Sequence, residues 1–211
     1  VPGRFIRKFW GADEVINAAP RYCLWIGEDE REAAAAYPAV RQRLHAVAAF
    51  RTASPTPSTK AFAARPHRFV QLSAEAKDTA VVIPRVSSEK RDYLPADMIG
   101  GTPVVGDKCY AIYDAPLWSF ALLVSRLHIT WIGTVCSRLE LRFSYGNTLG
   151  WNTFPVPKLT EQNKADLTRC AEDILLAREA HFPAIGFRWH ADDVSHLIGV
   201  MAPAVTSYIG H

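Results

Sequence analysis

The densest functional chemistry in this chain lies in the run VIPRVSSEKRDY, residues 82–93. It sets Arg85, Ser87, Ser88, Glu89, Lys90 and Arg91 in a short polar segment directly after an apolar, strand-like stretch. Guanidinium and ammonium groups donate to guanine O6 and N7, a carboxylate accepts from cytosine N4, and hydroxyls grip phosphates. On one anchored loop these groups suit base reading and backbone contact. The competing readings are a solvated charged turn and an Arg–Glu pair that only fixes the loop.

Two further sets extend the pattern. Lys60, Arg65 and Arg68 come after the Pro/Ser/Thr run SPTPST at 54–59 and are candidates for phosphate contacts, with plain exposed charge as the alternative. Tyr145 and Asn147 sit among turn residues, where an Asn amide suits bidentate reading of adenine. Equally, Asn147 shapes the turn and Tyr145 packs beside it. Arg138, Glu140 and Arg142 are assigned to bracing the fold, and Trp25, Trp118, Phe120 and Trp131 to a core or interface.

No catalytic residues are expected. The sequence has no GxGxxG, P-loop or GxSxG pattern. Glu75-Ala76-Lys77 matches only the tail of a D…ExK nuclease pattern. His190, Asp192, Asp193 and His196 suit a polar helix face better than a metal site, and no metal is expected. The run Asn152–Pro155 lacks the paired prolines and following aromatic of an amino-methyltransferase motif. The four cysteines show no ligand spacing, and three lie in apolar runs that suit buried, reduced thiols.

Charge separates the chain into regions. Residues 41–91 carry ten Lys/Arg against three Asp/Glu, whereas residues 151–211 carry five against seven. A concentrated basic region on a body of net charge +3 points to a polyanion partner. Hydrophobic content of 49% with 21% charged residues reads as globular, and the apolar stretch 115–136 is too interrupted to span a bilayer. The start at Val1, without Met or a signal-peptide layout, reads as an excised fragment.

The elements that would position these groups emerge from periodicity. A short helix opens at Asp13 and Glu14, and 21–26 reads as a strand. Glu28, Asp29, Glu30 and Glu32 lead into an alanine-rich helix that Pro38 breaks or restarts, with Val40, Leu44 and Val47 on one face. Residues 54–59 read as an irregular loop that orders on nucleic acid. Strands are expected at 68–72, 79–84 and 108–113, a helix start at Asp114 and Pro116, and two apolar helices between 117 and 136. A last amphipathic helix spans about 160–180, with Leu167, Ala171, Ile174 and Leu175 on one face. The fold class is α/β or mixed α+β, a mixed sheet with helices packed on it.

Several blocks in order resemble the target recognition region of the MmeI-type (type IIL) restriction-modification enzymes. They are RYCLWI at 21–26, IPRVSSEKRDYLP at 83–95, AIYDAP at 111–116, the aromatic-rich stretch LLVSRLHITWIGTVCSRLELRFSYGNTLGWNTFPVP at 122–157 and the helix LTEQNKADLTRCAEDILLARE at 159–179. The resemblance implies a target-recognition-domain fold at 1–157, like that of type I specificity subunits, and a C-terminal helical segment at 158–211. It implies a module that reads double-stranded DNA in the major groove and has no activity of its own. An upstream adenine-N6 DNA methyltransferase of the same polypeptide would use S-adenosylmethionine, a fused endonuclease would use Mg, and the setting would be the bacterial cytoplasm. Residues 184–211 depart from the family pattern and receive no role. The rival readings are a small nuclease built on Glu75 and Lys77, and a protein-docking module using the apolar 117–136 surface.

Overall fold

The computed structural model describes residues 3–17, 21–70 and 75–181. Two compact units emerge, one from residues 1–9 with 21–75 and the other from residues 10–20 with 76–211. The polar residues His190, Asp192, Asp193 and His196 and the whole tail 184–211 lie outside the described residues.

In the first unit a 3₁₀ turn at Gly3–Phe5 leads into β1 (Ile6–Trp10). β1 pairs antiparallel with β2 (Arg21–Leu24), in register from Ile6↔Leu24 to Phe9↔Arg21. Between them in sequence, α1 (Ala12–Asn17) belongs to the second unit. α2 (Arg31–Ala35) stops short of Tyr37, whose extended backbone is the conformation a following proline imposes. Pro38 then opens α3 (Pro38–Thr52) in a first turn that needs no N–H donor. Phe5, Ile26, Ala34, Val40 and Leu44 form this unit's core. Val47, expected on the same face, is half-buried.

The sequence expects an irregular loop at 54–59, but α4 (Pro57–Ala61) and a 3₁₀ turn at Phe62–Ala64 form instead. Pro57 presets the first turn. Arg51 then anchors residues 62–68. Its guanidinium donates to the carbonyls of Phe62 (3.1 Å), Arg65 (2.9 Å) and Arg68 (2.7 Å). Backbone groups that would otherwise need water find a charged donor, a link invisible to local periodicity. The strand expected at 68–72 is absent from its described part, residues 68–70.

The second unit is organised by β3 (Thr79–Pro84), in which all six residues are buried. Next come β4 (Val86–Ser87), β5 (Asp97–Gly100), β6 (Val104–Val105) and β7 (Cys109–Tyr113), and β3 lies antiparallel between β5 and β7. Its side chains alternate between two cores, as a period of two requires. Val81 and Ile83 join Leu94, Met98, Phe120, Leu123 and Ile132, while Ala80 and Val82 join Ile99 and Cys109. A strand covered on both faces reads as a continuous apolar run, which is how TAVVIP looks.

The two apolar helices are α5 (Leu117–Leu123) and α6 (Arg126–Val135), the latter capped by the Ser125 hydroxyl accepting from the His128 N–H at 3.1 Å. Then come β8 (Arg138–Leu139), β9 (Arg142–Ser144) and α7 (Asn147–Gly150), and finally α8 (Glu161–His181), which packs along α5. Ala171 and Leu175 are buried there, and Arg178 donates to the Ala96 carbonyl at 2.8 Å, 3.4 Å from the Asp97 carboxylate. The boundary expected at 157/158 falls three residues before α8, which belongs to the second unit's core.

The strands divide among three small sheets, where the sequence suggested one. Short strands joined by tight turns bury their faces locally and need no common sheet. Asp114 also differs from expectation. It does not start α5, which begins after Pro116; its carboxylate accepts from the N–H groups of Lys77, Asp78 and Thr79 at 2.9–3.2 Å. Of the cysteines, only Cys109 is buried; Cys23 and Cys136 are half-buried, Cys170 is exposed, and all four are free thiols. No helix among the described residues is long and apolar enough to cross a membrane.

Candidate nucleic-acid interface

Arg85 joins two of the small sheets. Its N–H donates to the Lys108 carbonyl at the edge of β7 (2.9 Å), and its own carbonyl accepts from the Tyr145 N–H just past β9 (2.7 Å). With the backbone held at both ends, the exposed guanidinium lies 4.5 Å from the Tyr110 ring centroid. The arrangement keeps the charge in solvent and restrains its direction. Lys108 is exposed beside it.

From Arg85 the chain enters β4, which pairs antiparallel with β9 as Val86↔Ser144 and Ser87↔Phe143. Continuing that register sets Ser88 level with Arg142, so the 88–91 turn emerges at the end of the sheet that carries the β8–β9 hairpin tip. Ser88 shapes the turn: its carbonyl accepts from the Arg91 N–H (3.3 Å) and its hydroxyl from the Lys90 N–H (3.2 Å). Ser87 is buried within β4. Glu89 is half-buried, Lys90 and Arg91 are exposed, and Asp92 pairs with Arg126 at 3.6 Å.

The hairpin tip completes this surface. β8 and β9 pair as Leu139↔Arg142 across the two-residue connection Glu140-Leu141. Glu140 has φ +59°, a conformation that favours glycine. Its carboxylate accepts from Arg142 at 2.8 Å, and Arg138 donates to the Leu141 carbonyl at 3.0 Å with its guanidinium 4.8 Å from the Phe143 ring centroid. These contacts brace the hairpin, yet Arg138, Glu140 and Arg142 are all exposed, and Leu141 is 70% exposed at the tip. Sequence reading assigned the three charged residues to bracing alone. The run Arg138-Leu139-Glu140-Leu141-Arg142 was the available signal, since three charges in five residues belong on a solvent-exposed turn.

Tyr145 takes the other path. It is 4% exposed, with its ring against Tyr110 and His128 and its hydroxyl 3.5 Å from His128 Nε2. Burial pushes its phenol above the usual range. His128 is fully buried among Tyr145, Trp151 and Phe154, and desolvation lowers its imidazole to about 4. Asn147 is exposed at the start of α7, and its carbonyl accepts from the N–H groups of Trp151 and Asn152.

The phosphate candidates lie in the other unit, which carries eleven Lys/Arg against five Asp/Glu. Lys60 is exposed and makes no ion pair among the described residues. Arg65 donates to Glu28 at 2.9 Å, His67 lies 3.1 Å from the same carboxylate and Arg68 4.0 Å. The Arg65 and His67 hydrogen bonds hold the Glu28 carboxyl down at about 2. Of the nuclease candidates, Glu75 lies 3.5 Å from Arg7 and the Lys77 N–H donates to Asp114, and no group of three or more His, Cys, Asp or Glu suited to a metal occurs among the described residues.

In the second unit a charged turn and a charged hairpin tip stand together at one end of a small sheet, and the first unit separately carries the basic excess. The family model of the MmeI target recognition domain matches residues 2–158. The chain belongs to that family. DNA methyltransferase A of Bacillus subtilis (strain 168) is 34% identical to this chain over 175 residues, which is 83% of the chain but 20% of that methyltransferase. The type IIL restriction-modification enzyme MmeI, solved in complex with DNA, superposes with a TM-score of 0.79 at 30% identity, covering 98% of this chain and 28% of the MmeI chain. The chain thus spans only 20% and 28% of the length of these two relatives. Its fold class is the one the resemblance implied.

Proposed function

We propose that this recognition domain reads a specific sequence in duplex DNA through the surface made by Arg85, Lys108, the 88–91 turn and the β8–β9 hairpin. The carrying observation is the β4–β9 register, which brings the 88–91 turn and the hairpin tip to one end of one sheet, with Arg85 where the chain enters that short strand pair. Arg85, Lys90, Arg91, Arg138 and Arg142 supply fork and point donors, and Glu89 and Glu140 supply acceptors, the complement needed to tell base pairs apart in a major groove. Lys60, Arg65 and Arg68 add phosphate contacts that set orientation. Ser88 serves by shaping the turn, and Asn147 remains an exposed amide near the same strand.

The parent protein is proposed to be an adenine-specific DNA methyltransferase with a fused endonuclease, acting in the bacterial cytoplasm, with its methyltransferase domain upstream in the same polypeptide. The names of the two relatives support a DNA methyltransferase and a restriction-modification enzyme, and the unmatched length of each leaves room for such domains; adenine specificity, domain order and setting rest on the family resemblance. S-adenosylmethionine and Mg are assigned in this proposal to those other parts. Here the chain only binds and orients DNA.

The test is DNA binding by the chain across a salt series, with a Lys90→Glu/Arg91→Glu variant alongside. Phosphate and base contacts predict affinity that falls steeply with salt, and a shallower slope in the variant. Absence of binding at low salt would overturn the proposal. Metal-dependent cleavage abolished by Glu75→Ala would instead support the nuclease.

A further inference from the structure

Beside α3 in the first unit lies a cleft of about 420 Å³ that the recognition surface does not use. Its floor is aliphatic, from β1, β2 and α3, and its walls include Tyr22, Cys23, Arg43, His67, Arg68 and Phe69. Three features of this cleft point to a ligand. Tyr22 is 57% exposed, an aromatic face left open to solvent. Phe69 is fixed in a slab of rings, stacked on Trp25 (5.8 Å, 29°) and on Phe9 (6.4 Å, 24°), with the Arg7 guanidinium over Trp25 at 4.8 Å. The His67 side chain is wholly buried with Nε2 held by Glu28, while its Nδ1 has no hydrogen-bond partner.

We propose that this cleft is a nucleotide-binding site, taking the base and phosphate of one unstacked nucleotide. The volume suits a ligand of that size. The open face of Tyr22 recruits a base by stacking irrespective of its identity, with the Phe69 slab as the rigid wall of the cleft. Arg43, exposed and in no ion pair among the described residues, and Arg68 supply charge-assisted donors for a phosphate. His67 Nδ1, buried and unpartnered, gains a partner from the ligand: with Nε2–H donating to the Glu28 carboxylate, Nδ1 of the neutral ring accepts from a base amino group. The nucleotide has two sources, an extrahelical residue of the bound DNA or a free nucleotide, and both present this chemistry. The site shares no residue with the proposed reading surface except Arg68.

Cys23 reports occupancy, because it lines the cleft and is a half-buried free thiol, while exposed Cys170 serves as the internal control. Iodoacetamide labelling of both is monitored by mass spectrometry on the full chain with deoxyadenosine monophosphate, inorganic phosphate, a fully paired duplex, or a duplex carrying one unpaired nucleotide. The expected result is Cys23 labelling slowed roughly tenfold, the scale of one stacked base, by the mononucleotide or the unpaired-nucleotide duplex, with Cys170 unchanged. Protection by the mononucleotide identifies a free nucleotide as sufficient; protection by the unpaired-nucleotide duplex alone identifies an extrahelical residue. Tyr22→Ala and Arg43→Glu, both at exposed positions, are each expected to remove the protection. The proposal is overturned if neither ligand protects, if inorganic phosphate or the fully paired duplex protects as well, or if both variants keep the effect. Binding of the paired duplex, measured on the same samples, judges the reading surface separately.

Discussion

Replacing Arg85 tests the reading surface most directly, because its backbone and side chain do separate jobs. The backbone ties two sheets through Lys108 and Tyr145, and a side-chain change leaves those bonds in place. The guanidinium is exposed over Tyr110 at 4.5 Å, a contact worth about 0.5–1 kcal/mol to the fold at such a site. Arg85→Ala and Arg85→Lys should therefore both fold. A lost bidentate base contact costs roughly 1–3 kcal/mol, or about 5- to 150-fold in affinity for the preferred site. Arg85→Lys keeps the charge but not the fork, so it should lose that discrimination while keeping the salt slope. Arg85→Ala should lose both, with the slope shallower by about 0.9 for one phosphate-scale charge. The assay is competition binding between a duplex selected from a random pool and scrambled DNA, repeated over a salt series. If Arg85→Lys discriminates like the parent chain, Arg85 does not read a base through its fork and the assignment fails.

Two buried groups predict opposing pH dependences. Desolvation lifts the Asp97 carboxyl to about 6, with Arg178 opposing, so the folded state holds its proton longer than the unfolded chain and stability falls as pH rises from about 4 to 6. Desolvation lowers the His128 imidazole to about 4, so its contribution is complete above the unfolded value of about 6.5 and is lost as pH falls towards 4. Each effect is on the order of 3 kcal/mol and they offset in the parent chain. Urea denaturation should show stability rising with pH between 4 and 6.5 in Asp97→Asn and falling in His128→Gln; unchanged profiles would refute both assignments. At the hairpin, Glu140→Gly relieves the positive φ and should raise stability by up to about 1 kcal/mol while weakening discrimination between DNA sequences. A variant that gains stability and keeps full discrimination would show that Glu140 only shapes the turn.

The functional segment was legible because its chemistry is local. Charges in VIPRVSSEKRDY come after an apolar run that could only be a buried strand, and β3 leading to the Arg85 junction is the arrangement that formed. The helices 117–136 and 161–181 were equally legible, since a period of 3.6 declares which face is buried. The clearest failure was 54–59, read as an irregular loop: nothing nearby announces that Arg51, several residues earlier, will bond three carbonyls further along the chain.

By itself the sequence determined which side chains were available, where the long helices and the central strand lie, and to which family the ordered blocks point. Tertiary structure alone decided which of those groups stand together. Antiparallel pairing of β4 with β9 buried Ser87, kept Tyr145 in the core and carried Arg138, Glu140 and Arg142 to the same edge as the 88–91 turn. Register between strands more than fifty positions apart is set by burial of their apolar faces, a property of two segments at once that neither carries alone.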